Sequence, residues 1–258
     1  MRPLRLLLPA APLVMKMGVT AILCGFPSPA QDYATDDLDL TEHLIRDAKN
    51  TWFWEAIDYS MVDAGIFDTS VLVVDRGLTP VPGDIVIVLI DGEHQARRLS
   101  TEHGVPALRS EGLGHQLHYG ADLDIWGVVT WILTPLSRRH ELLEGALAGV
   151  DIGKLLIRDR ASSYLWRAAG GSMTGAGICD GSLLVVDRGI RPEDGSIIII
   201  AIVDNEHTVK RLDLSGPSPL LRADNPSHPD ILLAELSELT VWGTVTWSIT
   251  KARVGRRG

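Results

Sequence analysis

The stretch Ser60-Met61-Val62-Asp63-Ala64-Gly65-Ile66 occurs a second time as Ser172-Met173-Thr174-Gly175-Ala176-Gly177-Ile178, and this repeat decides the fold. Further repeated blocks are Val71-Leu72-Val73-Val74-Asp75-Arg76-Gly77 with Leu183-Leu184-Val185-Val186-Asp187-Arg188-Gly189, and Trp126-Gly127-Val128-Val129-Thr130-Trp131 with Trp242-Gly243-Thr244-Val245-Thr246-Trp247. Two copies of about a hundred residues each match the usual size of one hydrophobic core. The sequence therefore predicts a tandem duplication that fused two subunits of a homodimer into an internal pseudo-dimer.

Strand signals dominate both copies. Runs of β-branched residues that are short enough to be buried strands lie at 71–74, 85–90, 183–186 and 197–203. Asp91-Gly92, directly after one of these runs, is a dipeptide typical of a hairpin turn. We therefore expect a mainly β fold, with irregular surface connections at 101–120 and 215–230.

The repeats also predict how the chain is divided. Apolar spacing at 138–148 favours a short helix that connects the two copies. The expected segments are an N-terminal extended arm at 1–37, a first domain at 38–135, a linker at 136–149, a second domain at 150–252 and a basic tail at 253–258.

The two copies differ at one basic position. Aligned from the Glu-His pair in each copy, Lys210 falls opposite Arg97. If Lys210 is buried, desolvation favours its neutral amine, which can then accept the proton of Ser172. An arginine stays protonated at accessible pH, so Arg97 should leave Ser60 unactivated. A serine and a lysine at this spacing, taken alone, also fit an ordinary exposed lysine. The family resemblance of the flanking blocks, given below, favours Ser172 and Lys210 as a catalytic pair, with Ser60 and Arg97 as its degenerate counterpart.

Composition limits the possible partners. The chain has 45% hydrophobic residues, 22% charged residues and a formal net charge of −9, which is typical of a globular protein. Such an acidic surface repels phosphate backbones, so we expect no direct sequence-specific DNA binding. No glycine-rich phosphate loop or metal-ligand cluster is evident in the sequence, and we predict no nucleotide or metal cofactor.

The N-terminus resembles a secretory signal in its basic start and apolar run over residues 1–14. Lys16 interrupts that run, which is also far too short to span a bilayer. Export stays open as an alternative, but we expect a partly apolar arm on a cytoplasmic protein with no membrane contact.

A family resemblance is carried by Cys24-Gly25-Phe26-Pro27-Ser28-Pro29-Ala30, Ser60-Met61 with Asp63 and Gly65, Leu72-Val73-Val74-Asp75, Gly83-Asp84-Ile85-Val86-Ile87, Asp91-Gly92-Glu93 and Trp126-Gly127-Val128-Val129. In these blocks the chain resembles the LexA/UmuD family of self-cleaving Ser/Lys peptidases, and in particular its UmuD branch. The resemblance covers nearly all of the first copy, arm included, and the second copy from about Val150 onward.

The resemblance implies that a serine attacks a peptide bond in the protein's own arm, with a lysine as general base and backbone amides as the oxyanion hole. The cleaved bond would be Cys24-Gly25. Cleavage would be stimulated by a RecA filament on single-stranded DNA during the SOS response, and the shortened protein would join a UmuC-type translesion polymerase. LexA-like repressors carry a helix-turn-helix domain before this bond. The twenty-four residues that precede it here are too few for such a domain, so we do not expect a repressor.

Neither copy alone holds every part that this chemistry requires. The first copy has the Cys24-Gly25 arm but Arg97 in place of lysine, whereas the second has Ser172 and Lys210 but no such arm. We therefore hypothesise that the second copy cuts the arm of the first. The alternatives are a non-catalytic subunit that only docks the polymerase, and a membrane-bound signal peptidase, which would need a spanning helix.

Overall fold

The computed structural model describes residues 4–7, 16–23, 36–112, 117–120, 123–137, 152–202, 206–232 and 240–252. Three strands belong to the arm: β1 (Leu4–Leu7), β2 (Lys16–Leu23) and β3 (Asp36–Asp39). The first copy consists of α1 (Leu40–Leu44), β4 (Thr51–Ala56), β5 (Val71–Asp75), β6 (Ile85–Ile90), β7 (Glu93–Glu102), β8 (Val105–Arg109), β9 (Leu117–Tyr119) and β10 (Ile125–Pro135). The second copy consists of α2 (Ile152–Leu156), β11 (Ser163–Ala169), β12 (Leu183–Asp187), β13 (Ile197–Ile202), β14 (Glu206–Asp213), β15 (Leu220–Arg222), β16 (Ile231–Leu232) and β17 (Thr240–Lys251).

Both copies fold with the same strand pairing. In the first, the antiparallel order is β4-β5-β10-β6-β7-β8-β9. In the second, it is β11-β12-β17-β13-β14-β15-β16. The β-branched runs lie at the centre of these sheets, where every residue of β5 and β12 is buried. The predictions of a mainly β fold and of a tandem duplication are confirmed.

Local signals in the sequence also have their expected structural roles. Asp91 and Gly92 form the β6–β7 hairpin turn with φ angles of 52° and 79°, which confirms the predicted turn. The repeated Trp-Gly pair sits at a bulge in β10 and again in β17. A Cβ on Gly127 would lie 2.8 Å from the Val74 side chain, so this close approach of two strands requires glycine.

The two copies are joined through their last strands. β10 pairs antiparallel with β17, and Leu133 lies opposite Ile249, its own counterpart in the repeat. A pair of equivalent positions at the centre of an antiparallel ladder is the arrangement that a two-fold axis produces. The same ladder places Trp131 opposite Lys251. The copies therefore form the predicted pseudo-dimer within one chain.

One hydrophobic core spans this junction. It combines residues from the first copy, such as Phe53 and Val73, with residues from the second, such as Leu183 and Trp247. Each copy also has its own core, in which the Trp126 and Trp242 rings stand edge-on to neighbouring tryptophans. Apolar burial on this scale dominates the stability of the pseudo-dimer, and the tryptophans contribute to it by packing within each copy.

The structure corrects the expectation for two loop segments, and three other predicted features lie outside the described residues. The segments at 101–120 and 215–230 were predicted to be irregular, but they contain β8, β9 and β15, because pairing with the long strands β7 and β14 orders them. The connecting helix expected at 138–148, the Cys24-Gly25 bond and the basic tail at 253–258 lie outside the described residues. Within the described ranges, no helix combines the length and apolar character that crossing a membrane requires.

Candidate active site

The serine of each copy lies just before a short 3₁₀ turn. The turn spans Val62–Ala64 in the first copy and Thr174–Ala176 in the second. In both, the glycine that follows has a left-handed φ, 79° at Gly65 and 77° at Gly177. The backbone therefore presents Ser60 and Ser172 in the same way, and the difference between the copies is one of side chains.

The basic residue of each copy lies at the same place on a hairpin. Arg97 on β7 pairs with Val86, and Lys210 on β14 pairs with the equivalent Ile198. From this position the Arg97 guanidinium donates a hydrogen bond to Ser60 Oγ at 3.2 Å. Lys210 therefore occupies, in the second copy, the position from which Arg97 contacts Ser60 in the first.

The first copy contains a polar network around Ser60. Its hydroxyl donates to the Asp58 carboxylate at 2.9 Å, and its backbone N–H donates to the same oxygen at 3.0 Å. Arg97 is only 4% exposed and also donates to the Ala96 carbonyl and the Gln95 amide oxygen. Burial lowers the pKa of Arg97, and the Asp58 carboxylate opposes part of that shift. An arginine paired in this way remains a cation and cannot act as a base.

The second copy lacks this network. Gly170 stands where the first copy has Asp58, so no carboxylate side chain projects from that position. Ser172 is fully buried, and its hydroxyl has no hydrogen-bond partner among the residues that the structure describes. Lys210 is 5% exposed. A buried hydroxyl without a partner is costly, and it is typical of a site that forms its bonds with a ligand or during a reaction.

The arm runs into this second site. β2 lies parallel to β11 from Val19 to Leu23, so that Leu23 is opposite Ala169. Leu23 also pairs with Thr208 on β14. The last residue of β2 is therefore flanked by the two strands that lead, within a few residues, to Ser172 and Lys210. Cys24 and Gly25 follow Leu23 directly in the sequence.

Sequence reasoning missed the contacts that hold each serine turn in place. Arg98 forms a two-point ion pair with Glu111, whose carbonyl accepts the Asp63 N–H at 2.8 Å. In the second copy, Arg211 and Asp224 form the equivalent ion pair, and the Asp224 carbonyl accepts a hydrogen bond from the Gly175 N–H at 2.7 Å. The signal was present, because an arginine follows the basic position in both copies and an acidic residue lies in each downstream segment.

Comparisons with known proteins agree with this architecture. Protein SamA of Salmonella typhimurium is 41% identical over 106 residues, which cover 41% of this chain and 75% of SamA. Protein ImpA of Escherichia coli is 42% identical over 111 residues, covering 42% of this chain and 76% of ImpA. A LexA repressor of Verrucomicrobium spinosum is 33% identical over 125 residues, covering 48% of this chain and 58% of the repressor.

A profile of the family described as Peptidase S24-like matches residues 15–130 and again residues 139–246. The two matched ranges correspond to the two structural copies, each with its own serine turn and basic hairpin position. Because they cover well over half of the sequence, this chain belongs to the Peptidase S24-like family and carries two of its domains in tandem.

Proposed function

We propose that this protein is a self-cleaving serine peptidase in which the second copy cuts the Cys24-Gly25 bond of the arm. Ser172 is the nucleophile and Lys210 the general base. The observation that carries the proposal is the pairing of β2 with both β11 and β14, which ends at Leu23, one residue before the bond. An added β-strand is a common way for a protein to present or bind an extended peptide.

The chemistry follows from these positions. The neutral Lys210 amine takes the Ser172 hydroxyl proton as Oγ attacks the carbonyl carbon of Cys24. The resulting oxyanion needs backbone N–H donors, and the Ser172 N–H is a candidate. In the first copy the equivalent N–H donates to the Asp58 carboxylate, whereas Gly170 at that position has no side chain to accept it. Collapse of the intermediate breaks the C–N bond, and the proton passes from Lys210 to the new amine of Gly25. Water then hydrolyses the Ser172 ester with Lys210 again accepting a proton.

The same geometry makes the first copy a poor catalyst. Arg97 holds a permanent positive charge against Ser60, and the Asp58 carboxylate accepts hydrogen bonds from both the hydroxyl and the backbone N–H of that serine. A carboxylate in this place repels a developing oxyanion, so the first copy lacks the electrostatic stabilisation that acyl transfer requires. The difference in function between the copies therefore follows from two differences in sequence, Arg97 against Lys210 and Asp58 against Gly170.

In the cell, this cleavage would convert a precursor into an accessory subunit of a UmuC-type translesion polymerase in the cytoplasm. A RecA filament on single-stranded DNA would stimulate the cut during the SOS response. The resemblance to the UmuD branch and the similarity to ImpA and SamA support this role.

Intact-mass measurement of the purified full chain tests the proposal. The protein is held at mildly alkaline pH, with and without a RecA filament on single-stranded DNA, and wild type is compared with Ser172→Ala, Lys210→Ala and Ser60→Ala. We expect loss of residues 1–24 in wild type and in Ser60→Ala, and no loss in the other two variants.

Other outcomes are equally informative. A cut that persists in Ser172→Ala but disappears in Ser60→Ala would overturn the assignment of the active copy. The absence of any cut under all conditions would favour the second function, a non-catalytic subunit that docks the polymerase through the pseudo-dimer surface.

A further inference from the structure

A strand of the arm also lies in the cleft of the first copy, which is the space between β4, which leads to Ser60, and β7, which carries Arg97. β1 pairs antiparallel with β4, from Leu4 opposite Ala56 to Leu7 opposite Phe53. The Cα atoms of β1 also come within 8 Å of those of β7, the strand that carries Arg97. β1 therefore stands on the first copy where β2 stands on the second, between the serine-bearing and the base-bearing segments.

This contact buries apolar surface. Leu4 is 6% exposed and belongs to the core cluster of the first copy, together with Met61 and Ile66, which flank the Ser60 turn, and Ala96, which precedes Arg97. Burying one leucine side chain contributes roughly 1.5–3 kcal/mol. The segment is thus integrated into the cleft.

The two arm strands run in opposite directions relative to the serines. On the second copy, residue numbers rise toward Ser172, with Ile22 opposite Ala168. On the first copy they fall toward Ser60, with Leu4 opposite the equivalent Ala56. A reversed strand presents carbonyl and amide groups in the opposite order, so β1 offers Ser60 no peptide bond in the productive orientation.

Charge distinguishes the two clefts. In the register of β1, Arg5 is opposite Glu55, a buried acidic residue. The equivalent position in the second copy is Arg167, which lies opposite Ala21 of β2. Opposite charges on facing strands stabilise a pair and like charges destabilise it. A segment with a basic residue at this position therefore fits the first cleft and is disfavoured in the second.

We propose that the degenerate cleft of the first copy is a peptide-anchoring site that binds the protein's own Leu4–Leu7 segment in the reversed, uncleavable direction. Its ligand class is an extended apolar peptide with one basic residue. Anchoring itself does not depend on catalysis, but its consequence rests on the proposed function. Holding residues 4–7 on one copy keeps residues 16–23 at a high effective concentration beside the other copy, and it retains the 1–24 fragment after the cut.

Disulfide trapping tests this site in the uncut chain. Leu4→Cys and Ala56→Cys are combined in a full-length background of Ser172→Ala, Cys24→Ser and Cys179→Ser. Facing Cα atoms on antiparallel strands lie about 4.5–5.5 Å apart, within the disulfide range, so mild oxidation should cross-link most of the protein. The control pairs Leu7→Cys with Ala56→Cys, which are offset by three residues, about 10 Å, and should stay reduced.

The cross-linking results test both the direction of β1 and its anchoring on the first copy. Cross-linking of the Leu7 pair rather than the Leu4 pair would overturn the reversed direction, and no cross-link in either would overturn anchoring. Hydrogen exchange gives a measurement free of cysteines: Leu4→Asp in the Ser172→Ala chain should speed amide exchange at residues 4–7 by about 10- to 100-fold and leave β12 unchanged. Unchanged exchange at 4–7 would contradict the site. Intact mass shows whether the chains in this background still carry residues 1–24, so failure of anchoring in uncut chains is distinct from failure of the peptidase assignment.

Discussion

Replacing Lys210 with arginine gives the second copy the basic residue that the first copy already has. The hairpin register around Lys210 equals that around Arg97, and the first copy accommodates a 4%-exposed arginine there. The second copy has Gly170 and Thr208 where the first has Asp58 and Gln95, so the new guanidinium has fewer polar partners, and we expect the variant to fold with a lower free energy of unfolding. The only intended change is the loss of a side chain that can accept a proton.

The expected loss of activity can be estimated from that role. A positioned general base contributes about 10²- to 10⁴-fold to rate, which equals about 3–5 kcal/mol of activation free energy. Arginine cannot supply this, since a guanidinium stays protonated in proteins. Intact-mass time courses should therefore show self-cleavage slowed by at least 10²-fold at a temperature where circular dichroism shows that the variant is still folded.

The double exchange Arg97→Lys with Lys210→Arg is the matched control. It keeps one lysine and one arginine in the chain but moves the lysine beside Ser60, where Asp58 and the reversed β1 strand remain. We expect no recovery of cleavage. A Lys210→Arg chain that cuts at the wild-type rate, or a double exchange that restores cutting, would refute the reasoning.

Two further predictions concern the fold. Gly177→Ala should lower the free energy of unfolding by about 1–3 kcal/mol more than Gly65→Ala in urea titrations, because both have left-handed φ but only the Gly177 Cβ would meet Phe67 of the other copy, at 2.9 Å; equal losses would contradict a tight junction. Burial raises the pKa of Asp187, but hydrogen bonds, with Arg158 foremost, outweigh this and lower it overall, so its stabilisation is present at neutral pH and lost in acid. Asp187→Asn should therefore cost about 2 kcal/mol at neutral pH, with the difference from wild type shrinking below about pH 4 in thermal melts; a pH-independent difference would argue against the charged contact.

Much of the fold could be predicted because the same sequence pattern occurs twice in the chain. A pattern that recurs at Val71 and Leu183, with the same turn residues after it, indicates two equal domains without any knowledge of their contacts. The β6–β7 hairpin was predictable from Asp91-Gly92, since few residues adopt positive φ at both positions. The positions of the basic residues followed from the alignment alone.

The course of the arm could not be predicted in the same way. β1 and β2 are short apolar strands whose partners are set by tertiary pairing, and local sequence carries little information about which edge a strand joins or in which direction. The Asp58 network was overlooked for a different reason. It lies two residues before the repeated block, at a position where the copies differ, Asp58 against Gly170.

The central claim is that the second copy of a chain cuts the arm of the same chain. A mixture of isotope-labelled Ser172→Ala protein with unlabelled wild type, followed by intact mass at micromolar concentration, tests it most directly. A tethered arm has an effective concentration in the millimolar range, about 10³-fold above the free chains. We predict that only unlabelled chains lose residues 1–24; cleavage of the labelled chains at a comparable rate would contradict the account.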